Sequence, residues 1–259
     1  MKETPRKKII LKKKETLKET PASDGLIRLN KYISNSGVCS RRDADKLISD
    51  GRVTVNGEVT TELGHKVSPD DDVRYDGQRL NPERKVYLLL NKPRGFVATL
   101  DDPHAERTVM QLVQNACPER IYPVGRLDMQ TTGVLLFTND GELAKKLTHP
   151  SYEKKKVYHV QLDQDFLPED QEKLLKGIEL EDGLIAADEL GMIDPDDARQ
   201  IGIEIHSGKN RIIRRMFNHL GYQVVKLDRV LFAGLTKKDL PRGRYRFLTP
   251  QEINFLKMS

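Results

Sequence analysis

The spacing of apolar residues changes along this chain, and each change marks an element. Leu26, Leu29, Tyr32 and Ile33 recur at helical intervals and predict a first helix, which Gly37 closes. "SRRDADKLISDG" opens a second. Ser40 and Asp43 form a capping-box pattern with Asp in place of Glu, and Ala44, Leu47 and Ile48 make the buried face. Alternation then takes over in "VTVNGEVT", where Asn56-Gly57 is a two-residue hairpin signal, and "DVRYDGQRL" predicts a further strand and turn.

After the linker "NPERK" a longer region begins. "VYLLLNKPRGFVATL" predicts strand, Pro-Gly turn, strand, and "TVMQLVQNA" predicts a short helix. "IYPVG" and "GVLLFT" read as strands, and Asn139-Asp140 caps the helix "GELAKKL", which His149-Pro150 ends. In "KVYHVQL" Tyr158 shares a face with Val160 and Leu162. "LPEDQEKLLKGIEL" predicts an amphipathic helix, "GIEIH" a strand, "RIIRRMFNHLG" a helix closed by Gly221, and "RYRFLT" a last strand. The fold class expected is α+β: a small N-terminal α+β module over 25–84, then a larger, mostly antiparallel sheet domain with flanking helices over 85–259. Residues 1–24 lack periodicity and are expected to be a disordered basic tail.

Composition sharpens this picture in two places. The net charge is +5 over 259 residues, and the first 20 residues hold eight Lys/Arg against three Glu. Such a chain suits a polyanion, because every neutralised phosphate releases counterions. The two cysteines, Cys39 and Cys117, offer neither a disulfide framework nor paired metal ligands, so a reducing, cytoplasmic setting is expected. No apolar run reaches membrane-spanning length, and the basic start lacks the apolar core of a secretory signal.

Candidate chemistry is sparse. In the "RIIRRMFNHL" helix Arg211, Arg214, Arg215 and Asn218 fall on one stripe, opposite Ile213, Met216, Phe217 and Leu220. That cationic stripe, free of acids, suits RNA or phosphate, although a solvated helix face is the plainer alternative. "SGKNR" is not a phosphate loop: its glycines are too widely spaced, and Asn210 stands where a magnesium-binding hydroxyl belongs. Asp128, beside Arg126, is either a turn residue or a catalytic carboxylate. Tyr158 is either a core tyrosine with a paired hydroxyl or a functional one. Histidines are scattered and form no metal set. In the small module Arg28, Lys31, Arg41, Arg42, Lys46 and Arg52 cluster on and between the two helices, where backbone phosphates are the natural partner.

Here the motifs converge. "RLNKYISNSGVCSRRDADKLISDGRVTVNG" resembles the small RNA-binding domain named after the fourth protein of the small ribosomal subunit. "NKPRGFVAT", "PVGRLDMQTTGVLLFTNDGELAKKLTHP", "KKKVYHV" and "SGKNRIIRRMF" resemble, in this order, the ribosomal-RNA pseudouridine synthases of the RsuA/RluB type. The resemblance implies isomerisation of uridine to pseudouridine in ribosomal RNA or a pre-ribosomal particle, with no metal, nucleotide or redox cofactor. It places Asp128 on the family's essential aspartate, Tyr158 on the tyrosine that stacks on the base, and Arg214 on the basic residue that pairs with the aspartate. Further RNA contacts are expected from Arg126, Lys209, Arg211 and Arg215. "GIELEDG" points to large-subunit rather than small-subunit RNA as target. A monomer is expected, without membrane association. Two other functions fit parts of the chain: a non-catalytic rRNA-binding or ribosome-assembly factor, and a DNA-binding regulator using the Leu26–Asp50 helix pair.

Overall fold

The computed structural model describes residues 25–100 and 105–259; the expected tail lies outside the described residues. The chain divides into two compact units, one within the residues up to Leu80 and one spanning Asn81–Ser259 together with Asn35–Val38.

In the small unit the two helices run Leu29–Asn35 and Arg41–Ser49. Ser40 Oγ accepts from Asp43 N at 3.2 Å and donates to Asp43 Oδ2 at 2.7 Å, so the shorter Asp closes the cap through the serine hydroxyl. Leu26 is not on the first helix. It is exposed, and Ile27–Arg28 instead pairs as a short strand with Lys66–Val67. The Asn56-Gly57 hairpin forms as expected, with both residues at positive φ (53° and 88°) between Val53–Val55 and Glu58–Val59. Leu29, Tyr32, Ile33, Ala44, Ile48 and Val53 make up most of a compact core.

The large unit is built on a nine-stranded sheet. Its main elements are β1 (Tyr87–Lys92), β2 (Thr132–Thr138), β3 (Lys156–Leu162), β4 (Gln200–Ile205), α1 (Ile212–His219) and β5 (Val224–Phe232). The order across the sheet is Glu189–Met192, β4, β3, β5, β2, β1, Tyr245–Phe247, and within this row only β5 and β2 pair in parallel.

The apolar pattern follows burial. Every residue of β1 is buried: Leu88 and Leu90 enter one core with Phe137, Val160 and Phe217, while Tyr87 and Leu89 enter a second with Val134, Leu136 and Leu256. Cover on both faces explains its unbroken apolar run. β3 has one buried face only, carrying Tyr158, Val160 and Leu162, so it alternates. Where β2 meets β5, Gly133 lies opposite Arg229 at φ 107°, and a Cβ there would collide with the Arg229 backbone. Glycine lets the two strands approach this closely.

Several expectations need correction. Phe96–Leu100 forms no strand; Val97 makes only an isolated bridge to Thr108, and Gly95 N donates to Met129 O instead. The helix from Pro168 ends at Lys176, and Ile178–Leu180 beyond Gly177 is a strand. "IYPVG" contributes only Tyr122–Pro123 to the sheet, and "TVMQLVQNA" yields a 3-10 turn, Val109–Leu112. The chain ends in a helix, Pro250–Met258, opened by a full Thr249/Glu252 capping box. Among the described residues no helix is long and apolar enough to cross a membrane.

Candidate active site

Asp128 sits in the loop from Val124 to Thr131 that leads into β2. Two anchors set this loop. Leu127 inserts into the same core as Tyr158, and Val124 N donates to Leu136 O at 2.7 Å. From beneath, Lys92 holds the loop by its backbone. This lysine, the last residue of β1, has no exposed surface, and its Nζ donates to Thr131 O (2.8 Å), Asp128 O (3.1 Å), Pro93 O (3.2 Å) and Met129 O (3.3 Å). Burial pushes its pKa down to about 8, while the Asp128 charge pulls it up and Arg242 pushes it down. Lys92 lies in the "NKPRGFVAT" motif, whose pattern alone assigns it no role.

Asp128 and Tyr158 line one cavity of about 160 Å³. Its other charged lining residues are all basic: Arg126, Lys156, Lys209, Arg211 and Arg229. Asp128 is therefore the one acid in a cationic wall, among the described residues. Tyr158 is 8% exposed, and its hydroxyl makes no hydrogen bond among the described residues. The buried Tyr222 hydroxyl, by contrast, donates to Asp170 at 2.6 Å. A core tyrosine with a paired hydroxyl is thus not what β3 carries at this position.

Arg214, on α1, is half-buried beside this cavity. It shares an adjoining recess with Asp128, Arg126 and Arg211, and donates through Nη1 to Val224 O at 2.7 Å. Burial lowers its pKa; Asp128 opposes that shift, and Arg211 and Arg94 add to it. The two charges thus interact, yet Arg214 makes no ion pair with Asp128 within 4.0 Å. Arg211 precedes α1 in a left-handed conformation, φ 48°, unusual for a residue other than glycine and a sign of local strain at the site. Lys156 donates to His206 O at 2.6 Å and Lys154 O at 2.9 Å, and burial, then Arg229, pushes its pKa to about 8.

The helix stripe is not free of acids in three dimensions. Asp182, in the turn after Ile178–Leu180, takes both terminal nitrogens of Arg215 (2.6 and 3.0 Å) and also binds Lys209 through its backbone oxygen at 2.7 Å. These cations hold its pKa at about 2, Arg215 contributing most. Of the expected RNA contacts here, Arg126 and Arg211 face the cavity without a carboxylate partner among the described residues, whereas Lys209 and Arg215 are tied to Asp182.

In the small unit Arg28, Arg41, Arg42, Lys46 and Arg52 are exposed and Lys31 is half-buried. Arg41 donates to Asn30 Oδ1 at 3.2 Å and Lys46 to Asp43 Oδ1 at 3.2 Å. Arg52 pairs with Asp76 and lies over the Tyr75 ring at 4.8 Å.

The RNA pseudouridylate synthase family matches residues 86–219, the stretch that carries Asp128, Tyr158 and Arg214. The chain belongs to that family. An S4 domain matches residues 27–73. Ribosomal large subunit pseudouridine synthase B of Bacillus subtilis is 43% identical over 233 residues, which span 89% of this synthase and 95% of that protein. The Pseudomonas aeruginosa protein of the same name is 38% identical over 88% of this chain and 61% of its own length. A crystal structure of a pseudouridylate synthase superposes with a TM-score of 0.65 at 30% identity, covering 89% of this chain and 99% of that one. This synthase is therefore an enzyme with an S4 module ahead of a mostly antiparallel catalytic sheet, and the regulator reading of the helix pair falls away.

Lys92, Lys156 and Arg229 line or support the site without having been expected there. Lys92 and Lys156 lie inside motifs that were read for their neighbours. Arg229 lies in β5, a strand the apolar pattern did not reveal.

Proposed function

We propose that this synthase isomerises a uridine of large-subunit ribosomal RNA, turning the base out of its stack into the cavity that holds Asp128 and Tyr158. The observation that carries this reading is the solitary carboxylate. Asp128 is set beside Tyr158 in a cavity whose other charged walls are basic. The names of the Bacillus and Pseudomonas relatives support the choice of large-subunit RNA.

The division of labour follows from the geometry. An isomerase of a base inside RNA must extrude it, since the glycosidic carbon is out of reach in a stack. The basic walls draw the phosphates and raise affinity for the turned-out nucleotide. Asp128 acts as the nucleophile or base, and the Arg214 charge interacts with it across the adjoining recess. Tyr158 covers the base with a phenol that has no competing hydrogen bond among the described residues and relays the C5 proton. Lys92 fixes the loop so that Asp128 keeps its place. The S4 module grips RNA, with Arg28, Lys31, Arg41, Arg42, Lys46 and Arg52 as its contacts.

The test is tritium release from C5-tritiated uridine in unmodified large-subunit rRNA. The native enzyme should release it, and Asp128→Asn should lower the rate by at least about 10³-fold with RNA affinity nearly unchanged. A rate close to native in Asp128→Asn would remove the aspartate from the chemistry. Binding without release from any rRNA would favour an assembly factor.

A further inference from the structure

Four buried side-chain atoms among the described residues have no hydrogen-bond partner, and two of them, Thr131 Oγ1 and Arg229 Nη2, belong to residues lining the Asp128 cavity. A buried polar atom left unpaired is costly, so two on one cavity mark groups kept for a ligand. Thr131 is 2% exposed and Arg229 3%. The cavity that both residues help to line, about 160 Å³, is far larger than the roughly 15 Å³ a single water needs.

Arg229 is placed by the sheet itself. It lies directly across from Tyr158 in the β3–β5 register, on the neighbouring strand. Its Nε donates to Val134 O at 2.8 Å, and the guanidinium carbon lies 4.6 Å from the Phe232 ring centre. It has no carboxylate partner among the described residues. The group is thus fixed at one end and unspent at the other. Arg214 differs, since its Nη1 already serves Val224 O. Thr131 closes the loop that carries Asp128: its N–H donates to Asp128 O at 3.0 Å, and its own carbonyl accepts from Lys92, while the hydroxyl is left over.

We propose that Arg229 and Thr131 read the uracil ring: Arg229 Nη2 donates to a ring carbonyl oxygen, and the Thr131 hydroxyl meets the adjoining polar edge. This rests on the reading that a uridine is turned into the Asp128 cavity, and it assigns the two residues that hold the detached base. When the N1–C1′ bond breaks, its electron pair stays on the uracil and is shared among N1, O2 and O4. A guanidinium at a carbonyl oxygen stabilises that charge while the ring turns. C5 then bonds to C1′, C5 loses its proton and N1 gains one, so the product is an isomer of the substrate. A fixed donor aimed at charge that grows during reaction is worth about 10²–10³-fold in rate.

The experiment uses the full-length enzyme and an RNA fragment carrying the mapped target uridine, with sulfur replacing O2 or O4 in separate substrates. Sulfur is a poor acceptor, so the native enzyme should slow with one of the two, and Arg229→Met should be slow with oxygen and show no further sulfur effect. Arg229→Lys should recover part of the rate. Thr131→Val, which removes an unpaired atom and keeps the shape, should melt no lower than the native enzyme yet turn over more slowly on bound RNA. Equal native rates on all three substrates, or a native rate in Thr131→Val, would overturn the proposal even if Arg229→Met failed to fold. An enzyme that made no pseudouridine from unsubstituted rRNA would instead overturn the functional reading beneath it.

Discussion

The two units use their cations in opposite ways. In the S4 module Arg28, Arg41, Arg42, Lys46 and Arg52 stand on the surface, Lys46 and Arg52 with the exposed partners Asp43 and Asp76. In the catalytic unit Lys92 is fully buried, Arg229 nearly so, and Arg214 and Lys156 half-buried. The difference begins with core size. Two short helices and a few hairpins cannot surround an ammonium with protein acceptors, whereas a sheet covered on both faces can. Exposed cations are interchangeable and act through their number. Buried ones act through position, each aimed at one loop, one carbonyl or one carboxylate.

Lys92→Met should separate the two uses most sharply. The methionine fills the space but removes the ammonium that three carbonyls of the loop share. Among the described residues, Asp128 O then keeps only Thr131 N, Met129 O keeps only Gly95 N, and Thr131 O loses its 2.8 Å donor. Stability should fall by about 2–4 kcal/mol, read from the denaturation midpoint. A displaced Asp128 should also cost about 10²-fold in turnover at saturating RNA. If the stability falls but folded enzyme turns over at the native rate, the buried lysine supports the fold and not the reaction.

How much of this was legible depended on which physical signal each residue sends. Asn56-Gly57, the Ser40 and Asp140 caps and the alternation of β3 are local chemistry, and all three formed as read. Phe96–Leu100 alternates too, yet pairs only through the single Val97–Thr108 bridge, and pairing is a property of the sheet. β5 went unseen because its burial is irregular: it joins β3 through two register shifts and β2 in parallel. Arg229 was lost with it. Asp182 was invisible as a partner of Arg215 because the turn that carries it lies remote in sequence from the helix. The acid-free stripe was correct along the helix and incomplete in space. Asp128 carried no local mark beyond its arginine neighbour, and the motif resemblance alone singled it out.

A smaller effect comes with pH. Lys92 and Lys156 both have pKa values near 8, below the ordinary 10.5, with burial the first cause. Folding therefore releases protons between about pH 8 and 10.5, and stability from these two groups rises with pH across that window. Turnover should move the other way, falling above about pH 8 as the clamp and the cavity wall lose charge. Thermal midpoints and single-turnover rates measured from pH 7 to 10 should show opposite slopes. A rate that stays level to pH 10 would mean that neither lysine needs its charge.

The smallest effect belongs to the exposed set. Arg42 stands on the outer face of the second S4 helix with no carboxylate partner among the described residues, whereas Arg52 is committed to Asp76. If each exposed cation serves one phosphate, Arg42→Ala should reduce the salt slope of rRNA binding by about 0.7–0.9, with a correspondingly weaker affinity at low salt. Arg52→Ala should change the slope less, because its charge is already shared with a carboxylate. Neither variant should alter turnover on bound RNA, since both residues belong to the S4 module and not to the loop that carries Asp128. A drop in single-turnover rate at saturating RNA for Arg42→Ala would show that surface cations also set geometry, and the distinction between counting cations and aiming them would no longer separate the two units.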